Sequence, residues 1–255
     1  MNAISKRVTI EGINSAYAEV GEGKTIVFLH GAYVRASTHM ALLERLGENF
    51  RVIAPDLPGF GNSQTPTTTW SLEEYATWLE ELLTTLQIEN ATLVGHSFGG
   101  GIALYTAAKS KRVNQAVVID SLGVATIYGR LELLTRQFIL HTLNALSSTK
   151  SVGPYLCMTK DFFVNLFKRP FTFCRIQRIL INAIRSSFPP QFSLMVPLLI
   201  IWGRQDEILP LNNALAIKSH APHSTIIEVD GFHDWLIYEP EKAAKLIFEF
   251  VENKK

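Results

Sequence analysis

The sequence has few cysteines, no excess of either charge and no long hydrophobic run. Its two cysteines, Cys157 and Cys174, are too few for a disulfide framework, and nothing around them has metal-ligand spacing. With 24 Lys and Arg against 23 Asp and Glu in 255 residues, the charge gives no general reason to expect a nucleic-acid partner. The longest apolar run, 194–202, contains Pro197 and has nine residues. A membrane-spanning helix needs about 20.

The beginning of the sequence also lacks the apolar core of a signal peptide, which predicts a cytoplasmic protein. Hydrophobic residues make up 47% of the chain, and together with the low net charge this excludes a disordered protein. There is no internal repeat and no low-complexity tract. The composition therefore predicts one large domain with a substantial core.

Six short apolar runs have the character of strands buried on both faces, as in a parallel sheet covered by helices. They are Thr25–Leu29, Phe50–Ala54, Ala91–Val94, Gln115–Ile119, Pro197–Trp202 and Thr225–Val229. A looser alternation from Val8 to Val20, centred on Gly12, predicts an antiparallel hairpin at the edge of the sheet.

Helical patterns lie between the predicted strands. The clearest begins with a capping box, Ser71 with Glu74, and continues to Gln87 with its apolar residues on one face. Further helices are predicted over 98–110 and 241–252. Alternating strands and helices predict a doubly wound α/β domain with a mostly parallel sheet of about eight strands.

One long stretch, 122–196, breaks this alternation. It contains no convincing strand, only helical patches interrupted by Gly153-Pro154, Arg169-Pro170 and Pro189-Pro190. We therefore predict a core formed by 1–121 and 197–255, with an α-helical cap (lid) of residues 122–196 inserted into it.

The strongest motif is Gly95-His96-Ser97-Phe98-Gly99, between a predicted strand and a predicted helix. The pattern Gly-x-Ser-x-Gly places a serine on a sharp strand-to-helix turn, with its hydroxyl above the sheet. A Cβ two residues to either side would crowd that turn. The five-residue pattern is weak alone, and its context makes it informative.

At this point the sequence resembles the α/β-hydrolase family over nearly all of the chain outside the insertion. The order serine, acid, histidine is the one that this fold uses. The matching segments, in family order, are His30-Gly31, Asp56 to Ser63, Gly95 to Gly99, Gly203-Arg204-Gln205-Asp206, and Gly231-Phe232-His233 with Glu239-Pro240 beyond.

The resemblance implies a catalytic triad of Ser97, Asp206 and His233. A serine hydroxyl is a poor nucleophile until a base such as His233 removes its proton, and a buried carboxylate must orient the imidazole. The backbone N–H groups of Phe98 and Ala32 would form the oxyanion hole. Other relatives of the family carry their acid after the strand that ends here at Asp120, but Asp206 lies in the better-matched motif.

Several other residues near these motifs have simpler interpretations. Asp56 is expected to satisfy backbone donors in a structural turn, and His30 and His96 to pack and hydrogen-bond. Asp230 and Asp234 are too near His233 in sequence to orient it. Neither Gly23-Lys24-Thr25 nor Gly59-Phe60-Gly61 completes a nucleotide-binding motif, and no residue cluster suggests a metal, so we expect no cofactor.

The insertion is the sequence's only information on specificity. It contains eight of the 15 phenylalanines, among them Phe138, Phe162, Phe163 and Phe167, which either line an apolar substrate pocket or form the core of the cap. Its nine basic and two acidic residues give +7, leaving −6 for the rest of the chain. Within it, 173–185 has a basic face with Arg175, Arg178 and Arg185, with Gln177 near its margin, and an apolar face opposite. Such a helix can contact an anionic membrane or simply face solvent.

The sequence therefore predicts a serine hydrolase that acts on a small to medium hydrophobic carboxylic ester, of monoacylglycerol type for example, through an acyl-enzyme. Hydrolysis of a carbon–carbon bond, a lactone or an amide uses the same residues and stays open. So does a slow or non-catalytic ligand receptor on the same fold, because fold alone does not determine function.

Overall fold

An eight-stranded sheet organises the part of the chain that the structure describes. This structure is a computed structural model, and it describes residues 3–124, 159–160, 170–186, 188–189 and 192–252. The strands are β1 (Ile4–Ile10), β2 (Ile13–Val20), β3 (Thr25–Leu29), β4 (Arg51–Pro55), β5 (Ala91–His96), β6 (Val113–Ile119), β7 (Leu198–Gly203) and β8 (Ser224–Val229).

The strand order is β1-β2-β4-β3-β5-β6-β7-β8. The β1–β2 and β2–β4 pairs are antiparallel, and every pair from β3–β4 to β7–β8 is parallel. The predicted mostly parallel sheet and its edge hairpin are therefore confirmed. Parallel strands end at the same edge of a sheet, so the loops after β3, β5, β6, β7 and β8 converge there.

Helices cover both faces of the sheet. One buried cluster contains residues of α2, α3, α4 and α5, and the other contains residues of α1, α6 and α7. The helices are α1 (Met40–Gly47), α2 (Leu72–Thr85), α3 (Phe98–Ala107), α4 (Pro170–Arg185), α5 (Asn212–Ser219), α6 (Trp235–Tyr238) and α7 (Pro240–Glu252), with a 3-10 turn at Ala36–His39. The predicted helices α2, α3 and α7 are present, whereas the shorter α1, α5 and α6 were not predicted.

Helix α4 belongs to the segment predicted as a cap, and it packs on the core as its apolar face predicts. Ile176 and Ile179 are almost completely buried, whereas Arg178 on the opposite face is exposed. Arg175, which was predicted to share the basic face, donates from Nη1 to the Pro66 carbonyl oxygen at 2.6 Å. One of the three arginines on that face is therefore engaged by the core.

All eight strands fall inside the ranges 1–121 and 197–255 predicted for the core. The division into a core and an inserted cap stays a prediction, since much of 122–196 lies outside the described residues. Among the residues described, none of the helices combines the length and apolar composition needed to cross a bilayer.

The start of α2 provides a test of the local structure. Ser71 Oγ accepts a hydrogen bond from the Glu74 N–H at 3.2 Å, and Glu74 Oε2 accepts one from the Ser71 N–H at 2.7 Å. We expect Ser71→Ala to lower the free energy of unfolding by about 1 kcal/mol, because a helix N–H loses its partner. Urea denaturation measures this change. Ser71→Asp keeps an acceptor and should retain most of the stability; equal stability of the alanine variant and the parent would contradict the prediction.

Candidate active site

Ser97 lies on the turn between β5 and α3 with an unusual backbone. Its φ is 53° and its ψ is −115°, a left-handed conformation that costs energy for any residue except glycine. A Cβ built on Gly95 would lie 2.5 Å from the Gly99 carbonyl oxygen, and one built on Gly99 would overlap the backbone of Leu29. The predicted steric need for glycine two residues to either side of Ser97 is confirmed.

His233 joins the serine to an acid from another loop. It lies between β8 and α6, and its Nε2 is 2.9 Å from Ser97 Oγ while its Nδ1 is 2.8 Å from Asp206 Oδ2. An ionised carboxylate only accepts hydrogen bonds, so Nδ1 carries the proton. In the neutral imidazole, Nε2 is then left to accept from the serine hydroxyl. His233 is 136 positions from Ser97 and 27 positions from Asp206 in the sequence, and the fold brings the three side chains together.

Asp206 is held rigidly in the loop after β7. Its Oδ1 accepts hydrogen bonds from the backbone N–H groups of Ile208 at 2.8 Å and Leu209 at 2.9 Å. Its side chain is fully buried. One oxygen therefore fixes the carboxylate to its own loop, and the other remains for the imidazole.

The electrostatics of His233 follow from this pairing. Burial alone lowers the pKa of an imidazole, but the adjacent Asp206 carboxylate outweighs it and raises the pKa of His233 to about 9. Asp234 and Asp120 act in the same direction. The imidazolium form is therefore stabilised at this position.

Asp120, the alternative acid, does not bond the imidazole. It is completely buried, and its two oxygens accept from the Gly203 N–H at 2.7 Å and from Trp235 Nε1–H at 2.9 Å. Burial, reinforced by the neighbouring Asp206, holds the pKa of Asp120 well above its ordinary value. The geometry therefore favours Asp206, and not Asp120, as the partner of His233.

The other aspartates near the site have different partners. Asp56 accepts from the backbone N–H groups of Ala36 at 2.9 Å and Asn62 at 2.7 Å, which confirms its predicted structural role. Asp230 is exposed and pairs with Arg204. Asp234 Oδ1 lies 3.8 Å from His96 Nε2, outside hydrogen-bond distance.

Two further histidines pack beneath the site as expected. His30 donates from Nδ1 to the Gly31 carbonyl at 2.7 Å and accepts at Nε2 from the Leu57 N–H at 2.9 Å. His96 Nε2 donates to the His233 carbonyl at 3.0 Å. Burial, as the main cause, and the nearby His233, as the second, lower the pKa of His96 to about 4, so His96 is neutral near pH 7. His96 thus supports the backbone that carries His233.

Within the described residues, His96, His233 and Asp234 are a group whose ligand atoms lie within 4.8 Å of one another. Such a group could hold a metal ion in principle. However, both nitrogens of His233 and Nε2 of His96 are already engaged by protein groups. We therefore assign these side chains to the hydrogen-bonded site around Ser97.

One polar contact on the loop after β3 was not predicted. The side-chain amide of Gln177, on α4, donates to the hydroxyl of Tyr33, the residue after Ala32. Both side chains are buried, although Gln177 was expected near the margin of the exposed basic face. No local signal reveals such a pair, because its members are 144 residues apart.

The predicted oxyanion donors lie on the loops expected to carry them. Phe98 is the first residue of α3 and Ala32 follows β3. A Cβ built on Gly31 would lie 3.4 Å from Ser97 Cβ, so the Ala32 loop passes close to the serine. The predicted pocket residues Phe138, Phe162, Phe163 and Phe167 lie outside the described residues.

Known proteins resemble this chain over almost its full length. A protein of Mycobacterium phage D29 assigned as a non-heme haloperoxidase is 29% identical, covering 94% of this chain and 92% of its own. A 2-hydroxy-6-oxo-2,4-heptadienoate hydrolase of Pseudomonas putida is 26% identical, covering 97% and 96%. A meta-cleavage product hydrolase structure from Pseudomonas fluorescens superimposes with a TM-score of 0.80 at 24% identity, covering 99% of each chain.

The sequence model of the alpha/beta hydrolase family matches residues 26–246. That range includes β3 to β8 and all three residues joined at the site. The match thus extends over most of the sequence and over the parallel part of the sheet. This chain belongs to the alpha/beta hydrolase family.

Proposed function

We propose that this protein is a serine hydrolase that cleaves carboxylic esters with a hydrophobic acyl or alcohol part. The observation that carries the proposal is the continuous series of hydrogen bonds from Ser97 Oγ through His233 to Asp206. Membership of a hydrolase family supports it. In this proposal Ser97 is the nucleophile, His233 the general base and acid, and Asp206 the residue that orients the imidazole.

The first half of the reaction forms an acyl-enzyme. Ser97 Oγ attacks the ester carbonyl carbon while its proton passes to His233 Nε2, 2.9 Å away. The imidazolium then gives that proton to the departing alkoxide, and the alcohol leaves. Asp206 stabilises the cation without taking up a proton itself.

The tetrahedral intermediate needs two hydrogen-bond donors. The Phe98 N–H is one of the first N–H groups of α3, which have no acceptor within the helix and lie at its positive end. The Ala32 N–H, on the loop that passes close to Ser97, is the second donor in this proposal. Loss of one such donor typically costs about 3–4 kcal/mol of transition-state stabilisation.

Water completes the cycle. His233, neutral again, removes a proton from a water molecule that attacks the acyl carbon, and Ser97 departs with the proton returned by the imidazole. None of these steps needs a metal or cofactor. Phe138, Phe162, Phe163 and Phe167 stay predicted pocket residues, and cytoplasmic location and membrane contact through the basic cap stay predictions from the sequence.

Hydrolysis of a carbon–carbon bond is the second candidate. Two relatives are named as a 2-hydroxy-6-oxo-2,4-heptadienoate hydrolase and a 2-hydroxymuconate semialdehyde hydrolase, at 26% and 28% identity. A panel of p-nitrophenyl esters of increasing chain length, lactones, amides and a 2-hydroxy-6-oxo-dienoate separates these reactions. We expect the highest kcat/KM for an ester. A higher value for the dienoate would favour carbon–carbon hydrolysis, and tight binding with no product in single-turnover experiments would indicate a receptor.

Removal of the nucleophile tests the proposal directly. We expect Ser97→Ala to lower p-nitrophenyl ester turnover by at least about 1,000-fold, because only binding and the oxyanion donors remain. It should also abolish labelling by a fluorophosphonate probe. Ser219→Ala, an exposed serine on α5, is the matched control and should change neither measurement. Undiminished labelling of the Ser97 variant would overturn the assignment.

Asp206→Asn separates the charge of the acid from its shape. The asparagine oxygen can still accept from the Ile208 and Leu209 amides, but its NH2 group donates to His233 Nδ1 and forces the proton onto Nε2. Nε2 can then no longer accept from Ser97, so we expect kcat to fall by about 10,000-fold. Asp230→Asn, at an exposed position, should leave kcat unchanged. A loss of less than tenfold in the first variant would assign the acid elsewhere.

The raised pKa of His233 predicts the pH dependence of the rate. Only neutral imidazole accepts the serine proton, so kcat/KM should be lost as the pH falls through the pKa of His233. Burial lowers the pKa of His233, but the carboxyl groups of Asp206, Asp234 and Asp120 raise it by more, which places the acid limb above the ordinary value of 6.5. Initial rates from pH 5 to 10 measure it, and a midpoint at or below 6.5 would contradict the prediction.

A further inference from the structure

The chain just after β6 holds the backbone of Ser97 on both sides. The Ser97 N–H donates to the Ile119 carbonyl at 3.0 Å, and the Leu122 N–H donates to the Ser97 carbonyl at 3.0 Å. Asp120 lies between these two residues. The main chain on either side of Asp120 therefore fixes the serine that the proposed function uses.

The side chain of Asp120 reaches the loops that carry the other two residues of the proposed triad. One carboxyl oxygen of Asp120 accepts a hydrogen bond at 2.7 Å from the N–H of Gly203, the last residue of β7. The Gly203 carbonyl oxygen accepts from the Asp206 N–H at 3.1 Å, and this bond closes the turn that carries Asp206. The other carboxyl oxygen of Asp120 accepts from the indole N–H of Trp235 at 2.9 Å, and Trp235 lies two residues after His233. One carboxyl group thus bonds one donor on each loop.

The sheet topology explains why this position can reach all three segments. β6 lies between β5, which leads to Ser97, and β7, which leads to Asp206. β8, which leads to His233, is the next neighbour of β7. A side chain at the end of β6 is therefore the one placed beneath the centre of the site.

The arrangement is energetically expensive. Asp120 has a left-handed φ of 46°, which is unfavourable for residues other than glycine. It is also completely buried, which is unfavourable for a carboxylate. The neighbouring Asp206 carboxylate adds a second unfavourable contribution. An apolar residue would avoid both the cost of burying a carboxyl group and the repulsion from Asp206. The presence of an aspartate therefore points to a role beyond packing.

We propose that Asp120 is a positioning residue of this hydrolase, whose carboxyl group sets the acid-bearing turn and the histidine-bearing loop relative to each other and to Ser97. This inference rests on the proposed function. The side-chain hydrogen bonds of Asp120 go to Gly203 and Trp235 and not to His233. Asp120 acts by keeping Asp206 and His233 at their hydrogen-bond distance, because small displacements of such groups are costly.

A double-mutant cycle between Asp120 and Trp235 tests this inference. In Asp120→Asn one oxygen can still accept from Gly203, but the new NH2 group opposes the Trp235 indole N–H. We expect kcat to fall by about 10- to 100-fold, with KM changed less than about threefold. Trp235→Phe removes one bond without creating this conflict, and we expect a smaller fall of about three- to tenfold.

The double variant gives the decisive result. Trp235→Phe removes the opposing donor, so the Asp120→Asn/Trp235→Phe protein should recover to the kcat of Trp235→Phe alone. Each kcat is taken from the plateau of that variant's own pH profile, so that a change in the protonation of His233 does not affect the comparison. Additive losses, or Asp120→Asn with the parent's kcat, would overturn the inference. If Asp120→Asn fails to fold, Trp235→Phe with the parent's kcat overturns it.

Two controls separate the possible failures. Ser71→Ala is expected to lose stability through hydrogen bonds that involve neither Asp120 nor the proposed triad. It should keep the parent's kcat, which shows that lost stability alone does not reproduce the effect. Parent protein that neither turns over the substrate panel nor labels at Ser97 would refute the proposed function itself. Parent activity that depends on Ser97, combined with an additive cycle, would refute only the role of Asp120.

Discussion

The site depends on close backbone contact between the turn at Ser97 and the end of β3. Gly99 packs so tightly against Leu29 and His30 that any Cβ there would overlap their carbonyl groups, and Gly95 packs as tightly against the first turn of α3. This contact holds Ser97 in a left-handed conformation that it would not otherwise adopt. The same packing brings the loop after β3 beside the serine, so the proposed nucleophile and its proposed oxyanion donors have a common structural origin.

The two buried carboxyl groups beside this turn have different chemistry because of their partners. Asp206 uses one oxygen for two backbone N–H groups and directs the other to His233, a group that gains and loses a proton. Asp120 directs both oxygens to an amide and an indole N–H, which do not titrate. Asp206 is therefore the acid that shares a hydrogen bond with the titrating imidazole, whereas Asp120 is suited to hold loops in place.

The sequence predicts the parts of the fold and of the candidate site that depend on residues close together along the chain. The parallel strands, the edge hairpin, helix α2 with its capping box and the glycine-flanked Ser97 all follow from residues a few positions apart. Helix α6 escaped prediction because four residues carry no periodicity. The choice between Asp206 and Asp120 rested on a motif, since both follow core strands. The bond from Trp235 to Asp120 spans 115 residues, and only the folded chain defines it.

The geometry of the core does not determine which type of bond this site would cleave. A hydrogen-bonded serine, an oriented imidazole and two backbone donors would stabilise an oxyanion on any acyl group, whether the leaving atom is oxygen, nitrogen or carbon. Discrimination then needs groups that contact the rest of the substrate. Helix α4 places the buried amide of Gln177 against Tyr33, the residue after the predicted donor Ala32. That helix belongs to 122–196, which carries +7 while the rest of the chain carries −6. We therefore expect this segment to determine which substrate is chosen.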